Sequence, residues 1–224
     1  MGISTVGMVT MDAIRWCTRI GRWTALRQRV ACGPPASVSN LMASFEPMDL
    51  EFRPVHRADF PLLGRWLAAP HVEPWWRESF DPVSVEARYG PCVDGAEPTE
   101  LFLVVQGGRE IGFVQRYLID DHPDWKRSLE PAAVPHPSIG VDYLIGDAEL
   151  LGQGLGPAIV DRFVRETWQR YPQALSVVVD VAQANRRSWR ALEKCGFDRV
   201  WAGTLVSDDP SDEGPAYIYV RQRE

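Results

Sequence analysis

The chain has 224 residues, enough for one domain with a tail, and its 45% hydrophobic content with nine tryptophans supplies a sizeable core. Its formal net charge of −6 is uneven: residues 1–45 hold five arginines against Asp12 alone, which makes that segment +4 and leaves −10 for the rest. An acidic domain of this kind excludes the basic face that nucleic-acid binding needs and suits a cationic small molecule. The absence of any apolar run near the ~20 residues of a bilayer span argues against a membrane partner. Cys17, Cys32, Cys92 and Cys195 are scattered, which argues against a metal or a disulfide framework, so a cytoplasmic protein with reduced thiols is expected.

Residues 1–47 differ in character from the rest of the chain. Ile14–Val30 is a basic amphipathic stretch and Gly33–Asn40 is a breaker-rich linker. A poorly ordered extension without a catalytic role is expected there, then a single domain over residues 48–224. Leu50–Val55 alternates as a strand, and Ala58–Ala69 places Phe60, Leu63, Trp66 and Leu67 on one helical face before Pro70 stops it. Val83–Tyr89 reads as a helix. Glu100–Gln106 and Glu110–Leu118 read as strands joined across Gly107-Gly108. Residues 119–137, with four prolines and many charges, read as one long loop of the kind that often carries function. Ser138–Ile145 is a further strand.

The most informative stretch comes next. Gly152, Gly154 and Gly156 alternate through a turn that runs into an amphipathic helix carrying Ile159, Val160, Phe163, Val164 and Trp168, with Pro157 in its first turn. A glycine turn feeding a helix start presents free N–H groups and a positive dipole end, which suits a pyrophosphate. The spacing matches neither of the best-known phosphate loops, and an ordinary glycine-rich turn is the alternative reading of the stretch alone. Leu175–Val181 is a β-branched strand. Asn185 opens a short helix that Gly196 stops. Phe197–Val206 and Ala216–Val220 close the sheet.

Glycine turn, helix, strand, Asn-capped helix and closing Gly196-Phe197, in this order, resemble the GCN5-related N-acetyltransferase superfamily. His71-Val-Glu-Pro-Trp-Trp76, Gly140-Val-Asp-Tyr-Leu-Ile-Gly146 and Gly214-Pro-Ala-Tyr-Ile-Tyr219 narrow the resemblance to aminoglycoside 6′-N-acetyltransferases and the related siderophore-pathway acyltransferases. The likeness spans roughly residues 49–221. It implies an α+β fold with a mixed, splayed central sheet flanked by helices. It also implies acetyl-CoA as co-substrate and a cationic aminoglycoside as acceptor, modified by direct transfer in a ternary complex with antibiotic resistance as the outcome. A monomer or homodimer is consistent with it.

The resemblance also implies roles for individual residues. Gly152, Gln153, Gly154, Leu155 and Gly156 hold the coenzyme, and Asn185 secures its pantetheine arm. Main-chain N–H groups at a bulge around Tyr143, Leu144 and Ile145 polarise the thioester carbonyl, by the logic of an oxyanion hole. Asp142 lies beside the accepting amine, where a carboxylate can hold an ammonium and take its proton. Asp180 and Glu213, with Asp212 beside the latter, are acidic contacts to the acceptor; Asp121, Asp124 and Trp125 resemble the family's Asp and Trp pair across a gap. Trp75 and Trp76 serve either as core or as a stacking platform for the sugar, with Glu73 as a nearby charge. The superfamily's thiolate-protonating Tyr is replaced by Leu192, and Leu151 opens the glycine motif in place of Arg or Gln. Two alternatives remain open: a siderophore acyltransferase acting on an N-hydroxylated lysine or ornithine side chain, and a non-catalytic acyl-CoA sensor.

Overall fold

The computed structural model describes residues 49–207 and 209–223. The expected N-terminal extension over residues 1–47 lies outside the described residues. Seven strands form one sheet in the order β1-β2-β3-β4-β5-β7-β6: β1 Leu50–Pro54, β2 Thr99–Gln106, β3 Arg109–Leu118, β4 Ser138–Ile145, β5 Ser176–Ala182, β6 Asp198–Thr204 and β7 Pro215–Gln222. Every neighbouring pair is antiparallel except β4 with β5. The helices are α1 Phe60–Leu67, α2 Glu73–Trp76, α3 Pro82–Val93, α4 Pro123–Ser128, α5 Leu155–Arg170 and α6 Arg186–Lys194.

Alternation along the strands divides the core. Val141 on β4 and Val177, Val179 and Val181 on β5 pack with Ile159, Val160 and Phe163 of α5 and Leu192 of α6. On the opposite face, Leu103, Phe113 and Leu144 pack with Leu63 and Trp66 of α1 and Val85 and Tyr89 of α3. Val178 belongs to a third cluster with Ile119, Leu129 and Ile218. Side chains two apart on a strand share a face, so Asp142 lies on the α1–α3 side with Leu144, and Asp180 lies on that side with Val178.

The parallel ladder between β4 and β5 is short. It pairs Ser138 with Ser176, Ile139 with Val177 and Gly140 with Val178, and then stops, although β4 continues to Ile145 and β5 to Ala182. The sheet is therefore splayed in its middle. The expected bulge in β4 is absent: its register with β3 runs without a shift from Leu118–Ile139 to Gly112–Ile145. The open edge comes from loss of the β5 partner. The stretch expected as one long loop over residues 119–137 folds instead into 3-10 turns at Ile119–Asp121 and Glu130–Ala132 around α4.

Candidate active site

A cavity of about 1020 Å³ opens at the splay, within the size of small-molecule sites. Asp142 and Tyr143 line it from β4, Asp180 and Ala182 from β5, and Asn185 and Ser188 from the start of α6. Trp75 and Trp76 close one wall, with Trp76 edge-on to Phe113 at 5.7 Å between ring centres. Asp124 and Trp125 of α4 also line it; Asp124 is 90% exposed and pairs with Arg127, so it stands at the rim. The loop between β6 and β7 contributes Asp209 and Asp212.

Two expected acceptor contacts do not reach the cavity. Glu213 is 83% exposed and pairs with Arg77, because the 3-10 turn Pro210–Asp212 rotates Asp212 inward and leaves its neighbour outside. Glu73 is exposed on the outer side of α2 and is not among the lining residues. His71 is also engaged elsewhere: its Nε2 donates to the carbonyl of Ile145 at 2.9 Å and ties the end of β4 to the segment before α2.

Asp142 stands opposite Gln115 of β3, whose side-chain amide donates to its Oδ2 at 2.8 Å. Burial pushes the Asp142 carboxyl up to about 6; the Gln115 hydrogen bond opposes the rise, and the charges of Asp212 and Asp209 add to it. Asp180 is raised well above the usual carboxylate range, first by burial and then by Asp212 and Asp142. Asp212 is raised by burial and by Asp209. Among the described residues, none of these three carboxylates forms a salt bridge. Crowded acidic groups of this kind are stabilised by an arriving cation.

The coenzyme side is built from main chain. Gly152 and Gly154 have φ of +80° and +82°, and a Cβ at either would meet nothing within 4 Å, so backbone conformation rather than packing demands glycine and the space beside the turn is open. Gly156 is different: a Cβ there would touch Ala191 at an ordinary 3.6 Å. Gly154 caps α5, and the N–H groups of Leu155 and Gly156 have no partner inside the helix. The side chain of Leu155 is buried in the core, and Gln153 turns back to donate to the Glu149 carbonyl at 2.8 Å. Only their main chain is free for a phosphate.

On β4, Gly146 N donates to the Ile111 carbonyl. The antiparallel alternation then directs the N–H groups of Leu144 and Asp142 to β3 and those of Tyr143 and Ile145 to the open edge. Leu144 therefore has no main-chain N–H to offer a thioester, and its side chain is core. Tyr143 Oη lies 2.9 Å from Ser188 Oγ, and Asn185 accepts from the Ser188 N–H as the cap of α6. Open N–H donors, a glycine cradle and an amide-lined edge fit an elongated phosphorylated thioester. Among the described residues no group of side chains could hold a metal.

Sequence reasoning missed Gln115, Arg88, Glu78 and Asp209. Gln115 had a readable signal, a neutral polar residue directly after the apolar run Ile111–Val114 within a strand. Arg88 and Glu78 had none, since their meeting depends on how α3 packs.

Comparison with known proteins is consistent with this geometry. A family model described as an acetyltransferase (GNAT) domain matches residues 55–205. The chain is 30% identical over 171 residues to aminoglycoside N(6′)-acetyltransferase type 1 of Klebsiella pneumoniae and of Serratia marcescens, covering 74% of this chain and 79% of each relative. Solved structures of AAC(6′)-Ib are 28% identical. The complex with paromomycin and acetyl-CoA superposes at a TM-score of 0.66, covering 78% of this chain and 93% of that one. The complex with coenzyme A and kanamycin superposes at 0.65, covering 78% and 95%.

Proposed function

This chain belongs to the GNAT acetyltransferases, and on that premise we propose that it acetylates the 6′-amine of aminoglycosides by direct transfer from acetyl-CoA. The observation that carries the reading is the gap between β4 and β5, where a cavity opens beside the start of α6 and is lined by three carboxylates that form no salt bridge among the described residues.

Acetyl-CoA, when bound, supplies the activated acetyl group. The main chain of Gly152–Gly156 would hold its pyrophosphate, and Asn185 with Ser188 would flank its arm. The edge N–H groups of Tyr143 and Ile145 are fixed donors for a carbonyl oxygen, and fixed donors stabilise charge that develops during attack. Asp180 and Asp212 hold ammonium groups of the acceptor. Asp142, ionised at neutral pH and on the same face, would accept the proton that the amine loses as its bond to carbon forms. The carbon–sulfur bond breaks, and coenzyme A leaves as a thiolate that takes its proton from solvent, Leu192 having none to give. Trp75, Trp76 and Trp125 form apolar walls for the sugar rings. A neutral hydroxylamine acceptor would leave the carboxylates uncompensated, which favours the aminoglycoside over the siderophore reading. Dependence on acetyl-CoA is consistent with a cytoplasmic enzyme, and loss of a cationic amine from the drug makes resistance the outcome in cells.

The test is thiol release from acetyl-CoA against a panel of amines, with Asp142→Asn alongside. Turnover on 6′-amino aminoglycosides that falls by about 10²–10⁴-fold in the variant supports function and base together. Turnover that survives the change removes Asp142 as base. Silence on every aminoglycoside overturns the reading.

A further inference from the structure

Seven carboxylates line the cavity: Glu78, Asp121, Asp124, Asp142, Asp180, Asp209 and Asp212. One arginine stands among them away from the rim. Arg88, on α3, places Nε 3.3 Å from Glu78 and a terminal nitrogen 3.5 Å from Asp209. The Tyr89 hydroxyl donates to the other oxygen of Glu78, and the other oxygen of Asp209 accepts from the N–H and hydroxyl of Ser211 at 2.9 and 2.7 Å. Both carboxylates are thus satisfied within the protein. The acids of the cavity therefore differ in their partners: Glu78 and Asp209 hold Arg88, whereas Asp142, Asp180 and Asp212 form no salt bridge among the described residues.

A guanidinium carries five N–H donors and no acceptor. Arg88 uses some of them on Glu78 and Asp209, while its side chain is 55% exposed and lines the cavity. A hydroxyl oxygen approaching this corner is met by a donor. A substrate ammonium approaching it meets a fixed like charge.

We infer that Arg88 is a specificity-determining residue, a resident cation that confines substrate ammonium groups to the Asp142, Asp180 and Asp212 side and receives a neutral oxygen of the same acceptor. The inference rests on the acceptor reading above. It goes beyond that reading by limiting how many charges the acceptor carries and where they lie.

The test uses two kanamycin-type acceptors that are identical except that one hydroxyl is replaced by an amine on the sugar that is acetylated. Calorimetric affinity and kcat/KM are measured for both with wild-type protein, Arg88→Gln, Arg88→Lys and Asp209→Asn. Arg88→Gln is expected to shift the preference toward the more cationic acceptor by about ten-fold, the scale of removing one nearby partly screened charge. Arg88→Lys keeps the wild-type order. Asp209→Asn leaves Arg88 less compensated and shifts preference the other way. If Arg88→Gln and Asp209→Asn move the preference in the same direction, Arg88 only fastens the β6–β7 loop and the inference is overturned. An unchanged ratio in Arg88→Gln overturns it as well. Wild-type protein that binds and acetylates neither acceptor is a different result: it overturns the aminoglycoside reading and removes this inference with it.

Discussion

Gln115 and Asp142 face each other across β3 and β4, and the Gln115 amide donates to the Asp142 carboxylate at 2.8 Å. The pair keeps a buried acid ionisable. Burial alone drives the carboxyl upward, and this one hydrogen bond favours its charged form. Gln115→Leu should therefore move the acidic limb of the kcat/KM profile, set near pH 6 by Asp142, upward by about one unit, the scale of a charge-assisted hydrogen bond. The full pH–rate profile of variant and wild type checks it; coincident limbs would detach Asp142 from the rate.

Asp180 should cost the free protein stability. Its carboxyl is raised in the folded state well above its ordinary value, by burial and by the neighbouring Asp212 and Asp142. A group shifted in that direction stabilises the fold below its unfolded pKa, and this contribution is lost as pH rises through the folded value. Well above the ordinary carboxylate range, at about pH 8, that contribution is reduced or gone, so Asp180→Asn should raise Tm by a few degrees there. Below about pH 4 the advantage should vanish. Melting curves at both pH values, with acceptor KM measured in parallel, show whether stability has been exchanged for cation binding.

Acceptor binding should release protons. An ammonium group arriving beside Asp142, Asp180 and Asp212 lowers carboxyl groups that crowding had raised. Near pH 6, where Asp142 titrates, titration calorimetry in buffers of different ionisation enthalpy should report a net proton loss from the protein. Observed heats that do not change from buffer to buffer would show that the cluster is already ionised.

Gly154 tests the coenzyme side. At φ +82° a side chain is strained even though space is open, so Gly154→Ala should cost about 1 kcal/mol or more locally. Coenzyme A affinity should fall about ten-fold while acceptor affinity holds. Equal losses for both ligands would mean that the substitution disturbs more than the turn.

Glu213→Gln should be nearly silent. The side chain is exposed and its pair with Arg77 lies at the surface, where ion pairs contribute about 0–1 kcal/mol. Acceptor KM should change by under ~2-fold, whereas Asp212→Asn should raise it by about ten-fold or more, a gap of about 1.4 kcal/mol.

That contrast marks what the sequence could and could not reveal. Periodicity and caps found the strands and helices around Gly152–Asn185, because each signal is local: positive-φ glycines, apolar faces, an Asn cap whose side chain does accept from Ser188 N. The family resemblance assigns Asp142 and Asp180 to one site, and the two-residue repeat of their strands is what turns both carboxylates to the same face. Which of Asp212 and Glu213 turns inward depends on one 3-10 turn, and no period reports that. The bulge expected at Tyr143–Ile145 failed for a related reason. A ladder's partner is a tertiary fact, and here the open N–H groups arise where β5 departs rather than where β4 distorts. Arg88 stayed hidden because its charge partners lie 10 residues before it in Glu78 and on a distant loop in Asp209.

The three-residue ladder between β4 and β5 has a mechanical meaning as well. Four strands on one side and three on the other are stitched at one end only, so the sheet behaves as two leaves on a short spine. Slow hydrogen exchange normally belongs to the centre of a sheet and fast exchange to its margins. In this molecule the order should invert locally: the amides of Tyr143 and Ile145, mid-sheet, are expected to exchange as a margin does until a ligand bridges the leaves.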